Sequence, residues 1–256
     1  MTKDAATIPI LMYHSISESP GPTSIPVEVF ADQMQAIAEE GWSVIPLSEL
    51  ASWHSGKNEL PNKTLAITFD DGFTDFHDCA LPILMKHGFH TTMFVPTQRV
   101  GREEDWAGHS QSPRKIMDWE TLTSIDGNGV EIAPHSRSHA DLSALSASAL
   151  EDEVLGSKSD LENRLGRQVR HFAPPYGRVN EAVLNCVGDA FDISVGVELG
   201  LATRRSDIRN LPRLEMHYYR DGKQWRRFLR GQGAFYLSLR KMLRTMRQRV
   251  KPKFYA

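Results

Sequence analysis

Cysteine is nearly absent from this chain. Cys79 and Cys186 are the only two in 256 residues, and they form no close-spaced motif. They do not support a disulfide framework, and reduced, buried thiols are expected. Long apolar runs are missing as well: none approaches the ~20 residues of a membrane-spanning helix. The opening MTKDAATIPILMYHSIS lacks the apolar core of a secretory leader. The expected location is thus the cytoplasm or the inner membrane face, or outside the cytoplasm if a leader has been removed. Internal repeats and low-complexity linkers are also lacking. Carboxylates fail in one region only. From Lys223 to the end there are 11 Lys and Arg and no Asp or Glu, out of 30 basic and 32 acidic residues in all. The rest, with 19 cations to 32 carboxylates, is an acidic body on which a basic tail is carried. That asymmetry bears on partners rather than fold. The expected division is residues 1–222 as one folded domain and 223–256 as a basic amphipathic helical tail.

What is present is an ordinary globular composition, 40% hydrophobic and 24% charged, on a chain long enough to bury a full core. Apolar runs within 8–16, 42–47, 64–69, 91–95, 129–133, 169–173, 191–195 and 208–216 predict strands. Helical spacing is read over 26–40, where Val29, Phe30, Met34, Ile37 and Ala38 share a face. It recurs after a Ser48 cap, over 80–87, 118–125 and 181–187, and over 146–165, where Ser148 and Glu151 have capping-box spacing. The polar stretch 97–114 predicts a long loop over the site. Strands alternating with helices argue a parallel α/β arrangement, and closure into a distorted (β/α) barrel removes exposed edges. In such barrels the chemistry sits at the carboxyl ends of the strands.

The chain is organised around Thr64–Phe76, TLAITFDDGFTDF. A buried strand ends there in two adjacent carboxylates, Asp70 and Asp71, followed by Gly72. Neighbours on a strand point to opposite faces. Both acids serve one site only if the chain turns sharply, which Gly72 permits. Two acids side by side repel unless a cation or a proton intervenes. The bland alternative is a solvated Asp-Asp-Gly turn. His135 and His139 stand four apart in HSRSH; on a helical turn they would share a face and grip one metal. Ser136 replaces the Glu base of HExxH, so a base and a third ligand must come from elsewhere. The Asp pair offers one of each. Two His and one carboxylate with an open position fit a catalytic Zn²⁺, or Fe²⁺ or another divalent ion. The alternative is two surface histidines on one helix.

TFDDG, then HSRSH some 65 residues on, then APPYG, resembles the polysaccharide deacetylases of carbohydrate esterase family four, the NodB-homology domain. IPILMYHSI and ALPILMKHGFHTTMFV resemble the members acting on poly-N-acetylglucosamine-type exopolysaccharides. The resemblance covers about Ile8 to Arg220 and implies a NodB-like barrel of about seven parallel strands. It implies hydrolysis of N-acetyl groups on an amino-sugar glycan, with Asp71, His135 and His139 as metal ligands. Asp70 would be the general base on the water held there, and the backbone N–H of Tyr176 would stabilise the oxyanion. The general acid is His14 in MYHSI or His217 in LEMHYY, with the context favouring His14. Members with the usual third motif carry an Arg where this chain has Ala173; Arg213 is the candidate to orient Asp70 instead, or else forms an ordinary salt bridge. Asp192 and Asp207 are weak candidates for a fourth motif. Trp106, Trp119 and Tyr176 are candidates for sugar stacking or for the core.

Two other readings stand beside this one: a deformylase or other amide hydrolase with the same site, and a silent carbohydrate- or membrane-binding module. In the tail, Phe235, Leu239, Met242, Leu243, Met246 and Val250 recur at helical spacing, with Arg240, Lys241, Arg244, Arg247 and Arg249 between them. Such a helix suits peripheral contact with an anionic membrane. Alternatively it packs its apolar face on the barrel and leaves its cations in water. No nucleic-acid partner is expected, since no binding motif accompanies the charge.

Overall fold

The computed structural model describes residues 7–106 and 112–250, with side chains as far as Met246. The strands are β1 (Ile10–Tyr13), β2 (Ser15–Ile16), β3 (Ser24–Ile25), β4 (Ser43–Val44), β5 (Thr64–Phe69), β6 (Thr91–Val95), β7 (Val130–Pro134), β8 (His171–Phe172), β9 (Ile193–Leu199) and β10 (Leu211–Glu215). The main sheet runs β7-β6-β5-β1-β10-β9-β8, with β4 beside β5 and every ladder parallel. Its ends meet where the Ala173 N–H donates to the Pro134 carbonyl at 3.4 Å, just past β8 and β7. The result is a nearly closed parallel barrel, as expected from the alternation of elements.

Strand parity sorts the core into two layers. Ile10, Ala66, Phe94, Ala133, Val195 and Leu211 face the lumen, which Leu47, Leu50 and Trp53 plug. Their neighbours Leu11, Ile67, Met93, Ile132 and Leu214 pack outward under the helices. Covered on both faces, such strands read as continuous apolar runs rather than alternating ones. Small Ala66, Ala133 and Ala173 leave the lumen room for one large polar side chain. That side chain is Arg213, fully buried, its guanidinium 6.0 Å from the Phe94 ring.

Helices α1 (Val27–Glu39), α2 (Leu47–His54), α3 (Leu81–His87), α4 (Trp119–Ile125), α5 (Ala147–Glu151), α6 (Ser157–Leu165), α7 (Glu181–Ala190), α8 (Gly222–Arg227) and α9 (Ala234–Val250) follow the predicted order. Several boundaries differ. The helix expected over 146–165 is split by a π-turn at Asp152–Gly156, and its cap is Ser146 rather than Ser148, its Oγ accepting from the Ala149 N–H. Ser48 lies inside α2, which starts at Leu47 after Pro46. Ala38 is exposed on α1, where Gln33 and Ala36 are buried instead. The strand expected over 191–195 begins later, at Ile193, because Phe191 ends α7. The start of the tail is continuous with the core: Trp225 in α8 is fully buried and donates to the Gln33 carbonyl at 3.1 Å. Both cysteines are free, but on helix surfaces they are only partly buried, not buried as expected. Among the described residues no helix is long and apolar enough to cross a membrane.

Candidate active site

The lumen parity of β5 runs Ala66, Thr68, Asp70. Asp70 therefore continues the inward face past the end of the strand. Register pairing of Tyr13 with Phe69, and the Asp70 N–H bond to the Tyr13 carbonyl at 2.9 Å, bring His14 abreast of it. His14 Nε2 lies 3.9 Å from Asp70 Oδ2. Arg213 reaches the same carboxylate from β10, with Nη1 and Nη2 donating to Oδ1 and Oδ2, each at 2.7 Å. Its Nε donates to the Gly196 carbonyl at 2.7 Å and Nη1 to Thr68 Oγ1 at 3.0 Å, so the fork is locked. Burial opposes ionisation of Asp70, but the charge and hydrogen bonds of Arg213 outweigh it and hold its pKa below the ordinary value.

Asp71 has the wrong parity for the lumen. The backbone corrects this by turning left-handed at both Asp71 and Gly72, each with φ of +75°. A non-glycine residue in that region is strained, and such strain concentrates at functional sites. The histidine pair follows the same device. Segment 135–139 is not a helical turn as the spacing suggested: Ser136 and His139 are left-handed, with φ of +62° and +66°. The turn is held from outside the site, where Glu153 accepts the backbone N–H groups of Arg137 and Ser138 at 2.8 and 2.9 Å. Arg137 is clamped by Asp160 and Asp152.

Asp71 Oδ1 faces His139 Nε2 at 3.2 Å and His135 Nε2 at 3.6 Å. The ligand atoms of these three buried residues lie within 4.8 Å of one another. His135 Nδ1 donates to the Ala173 carbonyl at 2.6 Å, which leaves Nε2 of the neutral ring as an acceptor. Burial, the leading cause, lowers the His135 pKa to about 4, so neutrality is its resting form. An imidazole acceptor and a carboxylate oxygen with no hydrogen-bond partner thus confront each other. A cation between them resolves this, and two imidazoles with one carboxylate form a donor set that suits a divalent transition ion. Despite burial, the nearby histidines, His139 foremost, hold the Asp71 carboxyl well below the ordinary range.

Aromatic rings wall the cluster. Trp106, from the loop after β6, stacks on His139 at 4.1 Å and 21°, and Tyr176 meets His139 edge-on at 4.7 Å. Tyr176 is itself left-handed, with φ of +59°. Burial, aided by Asp71, pushes its hydroxyl up to about 12. The remaining candidates lie elsewhere. Trp119 is covered by the Arg164 guanidinium at 5.1 Å. Asp192 pairs with Arg170, and Asp207 with Arg209. His217 is next to Tyr218, and burial, with Arg220 and Arg240, lowers its pKa. Residues 107–111 of the predicted loop lie outside the described residues. Glu215 was not singled out from the sequence. It stands in register with Met12 at the end of β10, and burial raises its pKa against the pull of His14. Its only sequence signal is its place two residues after Arg213.

A parallel barrel that gathers two carboxylates after β5 and two histidines after β7, on either side of β6, has the preorganised polar centre of a barrel enzyme. Comparison with known proteins narrows this. The family model described as polysaccharide deacetylase matches residues 57–190, and the chain belongs to that family, whose enzymes hydrolyse amide bonds. It is 27% identical over 84% of its length to YxkH of Bacillus subtilis (strain 168), assigned by name to the polysaccharide deacetylases, and covers 73% of that protein. It is 30% identical over 50% of its length to a chitin deacetylase of Pestalotiopsis sp, of which it covers 39%. Among solved structures, IcaB from Ammonifex degensii shares the fold with a TM-score of 0.75 at 20% identity, covering 89% of this chain and 97% of that one.

Proposed function

We propose that this chain removes N-acetyl groups from an amino-sugar polysaccharide or glycan intermediate, releasing acetate and leaving a free amine. The observation that carries the reading is the pair of facing acceptors, Asp71 Oδ1 and His135 Nε2, beside an Asp70 whose charge Arg213 maintains. In this reading Asp71, His135 and His139 hold a divalent ion, Zn²⁺ for choice. Such an ion polarises the acetamide carbonyl and acidifies a water.

The chain supplies the rest. Asp70, kept ionised by Arg213, takes the proton of the attacking water. As that water adds to the carbonyl carbon, negative charge grows on the acetamide oxygen. Pro174 and Pro175 have no N–H, and the N–H groups of Gly177 and Arg178 are taken by the Pro174 and Pro175 carbonyls. Tyr176 is then the donor of this turn, and an amide aimed at developing charge is typically worth ~3–4 kcal/mol in the transition state. His14, across the site from that turn and beside Asp70, protonates the departing amine. Trp106 and Tyr176 offer apolar walls for a sugar face. The names of the Pestalotiopsis relative and of other relatives, among them a poly-beta-1,6-N-acetyl-D-glucosamine N-deacetylase of Escherichia coli, support a glycan substrate.

The test is acetate release from N-acetylglucosamine oligomers by chelated protein with and without Zn²⁺. Activity restored by metal, and lost about 10²–10⁴-fold in His14→Ala with metal content unchanged, is the expected result. Formate release from N-formyl sugars with no acetate release would favour a deformylase. Full activity without metal would remove the ion from the scheme.

A further inference from the structure

Helix α9 is turned the opposite way from an ordinary terminal helix, which buries its apolar stripe. Its inward side is buried Leu237 with half-buried Tyr236, Arg240 and Arg244. Tyr236 Oη donates to the Tyr218 carbonyl at 2.6 Å, and the Arg240 guanidinium lies 3.9 Å over the Tyr218 ring. The outward side carries Phe235, Leu239, Met242 and Met246, at i, i+4, i+7 and i+11, with Leu243 beside them. Phe235 is 81% exposed and Met246 53%. Among the described residues the other large hydrophobics left exposed are the scattered Met85 and Leu155. A contiguous apolar stripe in water marks a contact surface. Of the alternatives weighed above for the tail, the apolar face packed on the barrel with solvated cations is therefore not what the fold adopts.

Charge identifies the occupant. From Ala234 to the end the sequence has seven Lys and Arg and no Asp or Glu. A second copy of the same helix would set like charges against each other. An anionic lipid layer accepts both the apolar stripe and the net positive charge that this stretch of sequence carries. We infer that α9 is a surface anchor that lies in the interface of an anionic membrane. Its seat fixes the orientation of the barrel. Tyr218 belongs to the turn after β10, and Lys241 Nζ lies within 3.2 Å of where a side chain on Gly200, after β9, would begin. Both are at the carboxyl end of the barrel, the end that holds Asp70 and His135. Docking through α9 brings the mouth of the candidate site close to the lipid surface, where a lipid-linked or membrane-proximal glycan would be presented.

The anchor does not depend on the deacetylation reading, and its test needs no turnover. Full-length protein is sedimented with vesicles of phosphatidylcholine alone and of phosphatidylcholine with phosphatidylglycerol. The expected result is binding to the phosphatidylglycerol vesicles that falls about tenfold on phosphatidylcholine alone and at high salt. M242E/M246E, whose side chains are already in water, is expected to lose about tenfold in binding while keeping its circular dichroism and its turnover of soluble oligomers. Wild-type protein that ignores phosphatidylglycerol, or a double variant that binds as well as wild type, overturns the inference. So does a solution dimer that M242E/M246E converts to monomer, which would assign the stripe to a second copy. Vesicle binding without any acetate release would leave the anchor standing and remove the enzyme reading alone.

Discussion

Asp71 Oδ1 is the atom on which the candidate site turns. It is buried, has no hydrogen-bond partner and faces two imidazole nitrogens. Asp71→Asn replaces an anionic ligand with a neutral amide at the same volume. Protein dialysed against Zn²⁺ is expected to retain one equivalent as wild type and about tenfold less as the variant, by elemental analysis. Equal retention would point to a different ligand set. Arg213 sets the state of Asp70. Removing it as Arg213→Met leaves a buried carboxylate uncompensated, at a cost of roughly 3–5 kcal/mol by thermal or urea melting. In the surviving fold burial acts on Asp70 against only the weaker pull of His135 and His14, so its pKa rises and the acid limb of the activity profile moves to higher pH. An unmoved limb would mean that another group is the base. In the wild type the sign runs the other way. Asp70 and Asp71 both titrate below the ordinary aspartate value of 3.8, so the stability they contribute is full above that value. It is lost as pH falls through their lowered values, which acid melts followed by circular dichroism would register.

At the scale of elements, turns rather than helices aim the functional side chains. Strands end near the site, and one or two left-handed residues bend each segment into it: Asp71 and Gly72 after β5, Ser136 and His139 after β7, Tyr176 and Gly177 after β8. The last turn is tight. A Cβ on Gly177 would lie 2.2 Å from Val197 Cγ2 on β9, and its φ is +62°. Gly177→Ala is expected to lose about 1–2 kcal/mol from backbone conformation and about 1–3 from overpacking. Adding Val197→Ala should recover the packing share but not the conformational one, as read from urea midpoints. Full recovery would mean that the backbone there carries no strain. Apolar periodicity shows none of these turns. It suggested a helical turn for HSRSH, because the spacing of two histidines is the same whether a helix or a left-handed bend brings them together. What makes the bend is remote: Glu153 in the π-turn at Asp152–Gly156 and Asp160 on α6 take up the N–H groups and the guanidinium of the turn.

At the scale of the whole molecule, the main sheet is a nearly closed barrel with its polar centre at one rim. An ion shared by the segments after β5 and β7 would tie two sectors of that rim across β6 in the folded state only. Refilling chelated protein with Zn²⁺ at a hundredfold excess over Kd should stabilise it by about 2.7 kcal/mol, seen as a higher melting temperature. Identical melting curves with and without metal would count against a resident ion. The composition and order of segments were enough to set the class of fold. Apolar runs of strand length alternating with amphipathic helices have few ways to bury themselves other than a parallel sheet covered on both faces. The adjacent carboxylates of Asp70 and Asp71, and the four-residue spacing of His135 and His139, also announced a charged centre, because like groups kept that close repel and need a reason. Three-dimensional packing alone decided the rest: that Arg213 crosses the lumen to Asp70, that His14 and not His217 stands beside it, and that α9 turns its apolar side outward. Each depends on which strands lie next to one another and on which way one side chain in two must point, and those relations arise only when the barrel closes.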